Sequence, residues 1–166
     1  MIERCRRQIF PMEDKIVGRN RKAQFRYHLL DRYEAGLVLS GSEVKSLREG
    51  RVGFEDAYAV VRDGEIFLRS LHIPPYAKAR AGGHDPIAER KLLLNHSEIR
   101  KLTVKVNQKG MTLIPTMVYF KKGWAKVELA LASGKRQYDK RKAIEEREQK
   151  REMDRFRKQR RGFTGK

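Results

Sequence analysis

The chain holds one cysteine, Cys5, among 166 residues. One thiol builds neither a disulfide framework nor a zinc knuckle, and the simplest setting for such a chain is the cytoplasm. No apolar run approaches the roughly 18 residues of a membrane-spanning helix. The opening "MIERCRRQIFPMEDK" carries charge where a secretory signal carries an apolar core. Met12 offers a second start, so the first eleven residues read as a dispensable extension. Catalytic signatures are also missing. There is no H-E-x-x-H, no G-x-S-x-G and no phosphate loop with its lysine. His28, His72, His84 and His96 are scattered without ligand spacing. The expectation is therefore no catalytic residues, no metal site and no cofactor. A metal-dependent nuclease would need Glu43, Asp56 and Glu65 to converge, and Glu43 already suits a helix cap.

Acidic charge is the other scarcity. Lys and Arg number 39 against 21 acids, a net charge of +18. That balance attracts polyanions, with nucleic acid ahead of an anionic membrane, and says nothing about fold. The excess is uneven: residues 1–22 carry +4 and residues 135–166 carry +8. Lys and Arg for phosphates, with Tyr, His, Phe and Trp for stacking, form an RNA-binding inventory. Tyr76 and Tyr138, each beside basic residues, are the candidate stacking tyrosines.

Residues 15–23, "KIVGRNRKA", show no periodic apolar face and read as part of a flexible arm. "FRYHLLDRY" and "AGLVL" alternate as a strand. In "SGSEVKSLREG", Ser40 and Glu43 have capping-box spacing and Gly50 suits a helix end. Residues 54–73 read as a hairpin turning at Asp63-Gly64. "PPYAKARAGGHDP" is a loop. In "RKLLLNHSEIRKLTVKVNQKG", Asn95 and Glu98 cap a second helix that buries Ile99, Leu102 and Val106 and ends by Gly110, with Leu92–Leu94 as its lead-in. "MTLIPTMVYF" and "WAKVELALA" are two strands split at Lys122-Gly123. Five or six short antiparallel strands with two short helices predict a mainly β fold. A small closed barrel with helices outside fits, and a ferredoxin-like sandwich is the alternative. From Lys135 the apolar content is too sparse to pack. Pairs such as Glu146 with Lys150 favour a helix only when a partner orders it.

Six blocks in order carry a resemblance across residues 15–142: "NRKA" (20–23), "YEAGLVLSGSEVKSLREG" (33–50), "HIPPY" (72–76), "DPIAERKLLLNHSEI" (85–99), "TLIP" (112–115) and "GKRQYDKR" (134–141). Together they resemble the small protein B family, bacterial partners of transfer-messenger RNA (tmRNA). The resemblance implies an oligonucleotide-binding (OB)-type barrel over residues 23–134. It also implies a flexible basic arm at 1–22 and a basic tail at 135–166, disordered when free and helical on the ribosome. It implies an RNA-binding protein of trans-translation and not an enzyme. Its partners would be the tRNA-like domain of tmRNA and the 70S ribosome, with elongation factor Tu reached through the RNA complex. The protein body would stand in for a tRNA anticodon arm, and the tail would enter the decoding centre and message channel.

Carried over residue by residue, the resemblance puts tmRNA contacts at Glu34, Leu93 and Lys126, and in the arm at Asn20, Arg21 and Lys22. Glu34 would accept hydrogen bonds, Leu93 would act indirectly from the core, and Lys126 would meet a phosphate. Arg90 and Lys91 are further tmRNA-binding cations in this reading, in a loop where Ala88 replaces an arginine common among relatives. Ser42 is a milder departure. In the tail, Lys135, Arg136, Lys140 and Arg141 would neutralise ribosomal RNA at the decoding centre. Tyr138 would stack on a base and Asp139 would turn the tail. The competing reading is a general single-strand or ribosomal RNA-binding barrel.

Overall fold

The computed structural model of the chain describes residues 15–77, 83–107, 110–135 and 153. In chain order these form β1 (Lys15–Arg19), α1 (Ala23–Arg26), β2 (Tyr27–Leu37), α2 (Gly41–Arg48), β3 (Tyr58–Arg62), β4 (Glu65–Arg69), β5 (Arg90–Leu93), α3 (His96–Val106), β6 (Met111–Lys121) and β7 (Trp124–Gly134). The strands lie in the order β1-β6-β3-β4-β5-β2-β7, every pairing is antiparallel, and β7 also pairs with β6. The fold is mainly antiparallel β with short helices, as the sequence predicts.

Alternation along the strands builds the core. Ala35 stands opposite Val127, and Val127 opposite Val118. Directly paired residues project to one face of a sheet. All three are fully buried, together with Leu129 and Leu113. Leu47 of α2 and Leu102 of α3 join this cluster. Both helices begin with the expected capping boxes, Ser40 with Glu43 and Asn95 with Glu98. Two hairpins turn on positive-φ pairs, Asp63-Gly64 (54° and 74°) and Lys122-Gly123 (49° and 82°). A tight turn matching strand twist needs positive φ at both central residues, and glycine supplies the second without a Cβ clash.

Several expectations give way. Residues 15–19 belong to no flexible arm: they pair with β6, Ile16 opposite Tyr119. An edge strand held by main-chain bonds leaves little hydrophobic signature. Pro115 sits in β6 at a register shift between Pro115 and Met117. Asn20 occupies the carbonyls there: its backbone N–H donates to Thr116 O at 2.7 Å and its side-chain amide to Pro115 O at 3.0 Å. Asn20 Oδ1 accepts from Ala23 N–H and opens α1, a turn absent from the sequence reading. Ala23 packs with Ile114 and Ala132 on the sheet face opposite the main core. Leu92 and Leu93 belong to strand β5 instead of leading into α3: Leu92 is buried and Leu93 faces out. Three consecutive leucines hide a period of two. β6 and β7 run slightly longer than the sequence reading, eleven residues each, and β2 is also eleven.

Candidate nucleic-acid interface

The outer face of β2, β7 and β6 collects charge. Gly36 lies opposite Leu93 on one side and Lys126 on the other. Lys126 lies opposite Tyr119, and Lys121 opposite Trp124. Direct pairs share a face and alternate residues repeat it. Leu93, Gly36, Lys126, Lys121 and Trp124 thus stand on one surface, with the core behind them.

Glu34 is the hub of this surface. One carboxylate oxygen accepts from Tyr119 O–H at 2.5 Å and from the Lys121 ammonium at 3.0 Å. The other lies 3.5 Å from Lys126 Nζ. Partial burial by itself would raise the Glu34 pKa. The hydrogen bonds from Tyr119 and Lys121 and the charges of Lys121 and Lys126 outweigh it, holding the carboxyl below its ordinary range. One anion therefore gathers two cations and leaves a net positive charge at a fixed place. Such an arrangement suits a phosphate oxygen, which takes charge-assisted N–H···O bonds.

Beside the hub runs an apolar groove of about 640 Å³ that includes Gly36, Val38, Leu93, Trp124 and Lys126. Trp124 is 73% exposed, Leu93 56% and Val38 46%. Gly36 allows close approach: a Cβ there would lie 3.3 Å from Leu93 Cβ, a tight contact that Leu93 would relieve by shifting a few tenths of an ångström.

A second basic region surrounds α1. Lys22 pairs with Glu55 at 2.6 Å and Arg26 with Asp56 at 3.5 Å. Arg32 reaches the buried Glu128 at 3.2 Å. Lys135 is tied to the same corner, its ammonium donating to Gln24 O at 3.0 Å and its backbone N–H to Arg26 O at 3.1 Å. Arg21 and Lys22 are exposed.

The structure brings Glu34, Leu93 and Lys126 together, with Leu93 at the surface and not in the core. Lys91 stands two residues before Leu93 on the same strand face and pairs with Glu65. Asn20 is turned into the fold by the bonds already described. Arg90 requires a correction. It is 3% exposed, its Nε donates to Glu43 at 2.6 Å, and its Nη1 donates to Leu71 O at 2.6 Å and Ala88 O at 2.9 Å. Nη2 donates to Pro86 O at 3.1 Å. A guanidinium so enclosed has no face for a phosphate. Its place in a run of leucines is the one clue that it goes inward. Glu43 likewise is committed: burial would raise its pKa, but bonds from the Ser40 backbone, Arg90 and the Ser40 hydroxyl hold it low.

Tyr76 lies under Lys45, whose Nζ is 5.6 Å from the ring centre. Among the described residues no three His, Cys, Asp or Glu side chains group as a metal site, and no helix is long and apolar enough to cross a membrane. The expected decoding-centre residues Arg136, Tyr138, Asp139, Lys140 and Arg141 lie outside the described residues, as do residues 1–14. Sequence reasoning missed Tyr119, Lys121 and Trp124 as site residues. The turn at Lys122-Gly123 was the available signal, since it sets Lys121 opposite Trp124.

Known proteins resemble the chain over most of its length. The family model described as "SmpB protein" matches residues 17–159. The SsrA-binding protein of Syntrophobacter fumaroxidans is 53% identical over 147 residues, covering 89% of this chain and 91% of the relative. That of Trichodesmium erythraeum is 52% identical over 146 residues, covering 87% and 94%. A solved structure described as "tmRNA-SmpB: a journey to the center of the bacterial ribosome" superposes with a TM-score of 0.64 at 47% identity, over 76% of this chain and 93% of that one. With a family model spanning most of its length and relatives more than half identical, the chain belongs to the SmpB family.

Proposed function

We propose that this chain binds tmRNA and serves with it on the ribosome in trans-translation, as a binding protein without catalysis of its own. The observation that carries the reading is the Glu34 hub, which fixes Lys121 and Lys126 on an exposed sheet face beside an apolar groove. The names of its relatives and the tmRNA-SmpB structure support the partner. In this reading the ladder that runs from β6 through β3, β4, β5, β2 and β7 back to β6 is a closed OB-type barrel. Residues 23–134 are its extent. The tRNA-like domain lies on the Glu34 face, with Lys91 and Leu93 beside it. Arg21 and Lys22 add a second basic contact. Lys135, held at the α1 corner and not in a disordered tail, starts the basic tail, and residues 136–166 become helical in the decoding centre and message channel. There Lys135, Arg136, Lys140 and Arg141 meet ribosomal RNA, Tyr138 stacks and Asp139 turns the chain. Elongation factor Tu is met through the tmRNA complex, and the setting is the cytoplasm.

A competition titration tests this. Labelled tmRNA is bound by the full chain at moderate salt, and bulk tRNA is added. Retention of tmRNA against excess tRNA is the expected result. Equal competition would replace the specific adaptor with a general, charge-driven RNA binder, whose affinity falls steeply with salt and ignores the RNA's identity.

A further inference from the structure

The geometry points to a resting place for the chain's own basic tail in the free protein. It is the cleft beside α1, where Tyr138 lies against Phe54 and Ile114 while Arg136 and Lys140 meet Glu55 and Asp56. Docked there, the tail residues assigned above to ribosomal RNA are covered, so the contact is autoinhibitory. The inference goes beyond the proposed function, and its test is made on the protein without a ribosome.

Position is the first argument. Gly134 stands opposite Tyr27, and Lys135 is bonded to Arg26 O and Gln24 O. Arg26 and Tyr27 line a cleft of about 340 Å³, together with Ala23, Phe54, Tyr58 and Ile114. The tail therefore starts at the rim of this cleft. Tyr138 follows three residues later, a span of at most about 10 Å. Shape is the second. Ala23 and Ile114 are buried against each other, Phe54 is half-buried and Tyr58 is exposed. A cavity of about 150 Å³ already takes a benzene ring, so the cleft has room for a phenol and the stems of its neighbours.

Charge decides the occupant. The side chains of Glu55 and Asp56 are 80% and 86% exposed, and each hydrogen-bonds one cation, Lys22 or Arg26. A carboxylate has about four acceptor sites, so both keep capacity for more donors. An RNA strand would meet two carboxylates at the mouth of the cleft. A second copy, at +18, would be repelled as a whole. The tail brings what the cleft lacks: one aromatic ring with Arg136, Lys140 and Arg141 around it. Its tether also gives it an effective concentration on the order of millimolar. Exposed ion pairs that are worth little between separate molecules then suffice to fill the cleft.

The chain's single cysteine makes the contact measurable. In the full-length C5S/A143C variant a nitroxide is attached at position 143, which leaves every charge of the tail in place. Paramagnetic loss of amide intensity is read by NMR at low salt. Strong loss is expected at residues 54–58 and 112–114. The Trp124 indole, eleven residues away at the far end of β7, serves as the unaffected control. A tethered label brushes its own anchor in any case, so the difference between variants is the readout. E55Q/D56N removes the charges and keeps the shape, since asparagine also tolerates the positive φ of 55° at position 56. Y138A removes the ring. Each is expected to restore much of the intensity at residues 54–58, with an unaltered urea midpoint, and raised salt is expected to do the same for the parent. An identical loss in parent, E55Q/D56N and Y138A would overturn the inference and leave the tmRNA reading standing. Loss that appears only between labelled and isotope-enriched molecules in a mixed sample would give the cleft to a second copy and overturn it. Shifts of the same amides by a short oligoadenylate, with no dependence of the intensity loss on Glu55, Asp56 or Tyr138, would give the cleft to RNA and overturn it as well.

Discussion

Two glutamates gather cations in this molecule, and the two sites do opposite work. Glu43 and Arg90 are both nearly inaccessible, 6% and 3% exposed. The guanidinium is saturated by one carboxylate and by carbonyls of Leu71, Ala88 and Pro86, fastening α2 and the loop before β5 to the end of β4. Glu34 keeps Lys121 and Lys126 at the surface, each ammonium with donors to spare. Like residue types in like pairings thus divide by solvent and by donor count. Where water is excluded and every N–H is occupied, the pair holds the fold. Where the cations outnumber the anion and stay wet, the pair is ready for another anion.

The largest expected effect breaks the buried side of this contrast. R90A leaves the Glu43 carboxylate buried without its cation and should lower unfolding free energy in urea by about 3–5 kcal/mol. The same pair predicts a pH dependence. The folded-state pKa of Glu43 is depressed, so its stabilisation is complete above the ordinary glutamate range and is lost as pH falls through the folded value. The stability gap between wild type and E43Q should therefore narrow on acidification, and a gap that widens would reverse the sign. E34A comes next. It removes the acceptor of Tyr119 and the hub of two lysines, with an expected loss of about 1 kcal/mol in stability and a clear drop in tmRNA affinity. The double variant K121A/K126A should leave the urea midpoint where it is and reduce the salt slope of RNA binding by about 1–2. A slope unchanged in that variant would remove the phosphate role of the exposed site. K22A is expected to be the mildest, with no measurable stability change, because Lys22 and Glu55 are both well exposed.

Much of this was legible beforehand. Alternation at Val127, Leu129 and Leu131, the capping boxes at Ser40 and Asn95, and the turns at Asp63-Gly64 and Lys122-Gly123 all depend on local chemistry, and the structure has each where the pattern puts it. What escaped depends on neighbours distant in sequence. Residues 15–19 are a strand because β6 offers an edge, and Leu93 is exposed because β5 takes its register from Gly36. Arg90 looked like a phosphate ligand because a sequence shows a charge and hides its burial. Lys121 and Tyr119 could not be joined to Glu34 without the β2–β7–β6 register.

β6 is paired unevenly by its neighbours. β6 and β7 are paired along almost their whole length, while the β3–β6 ladder is the single pair Ala59 and Leu113. Local openings follow the segments with the fewest cooperating bonds. Amides flanking that one contact should exchange with solvent well before those between β6 and β7. The fold thus has a built-in parting line, away from the Glu34 face, where the molecule can breathe without disturbing the surface that holds its cations.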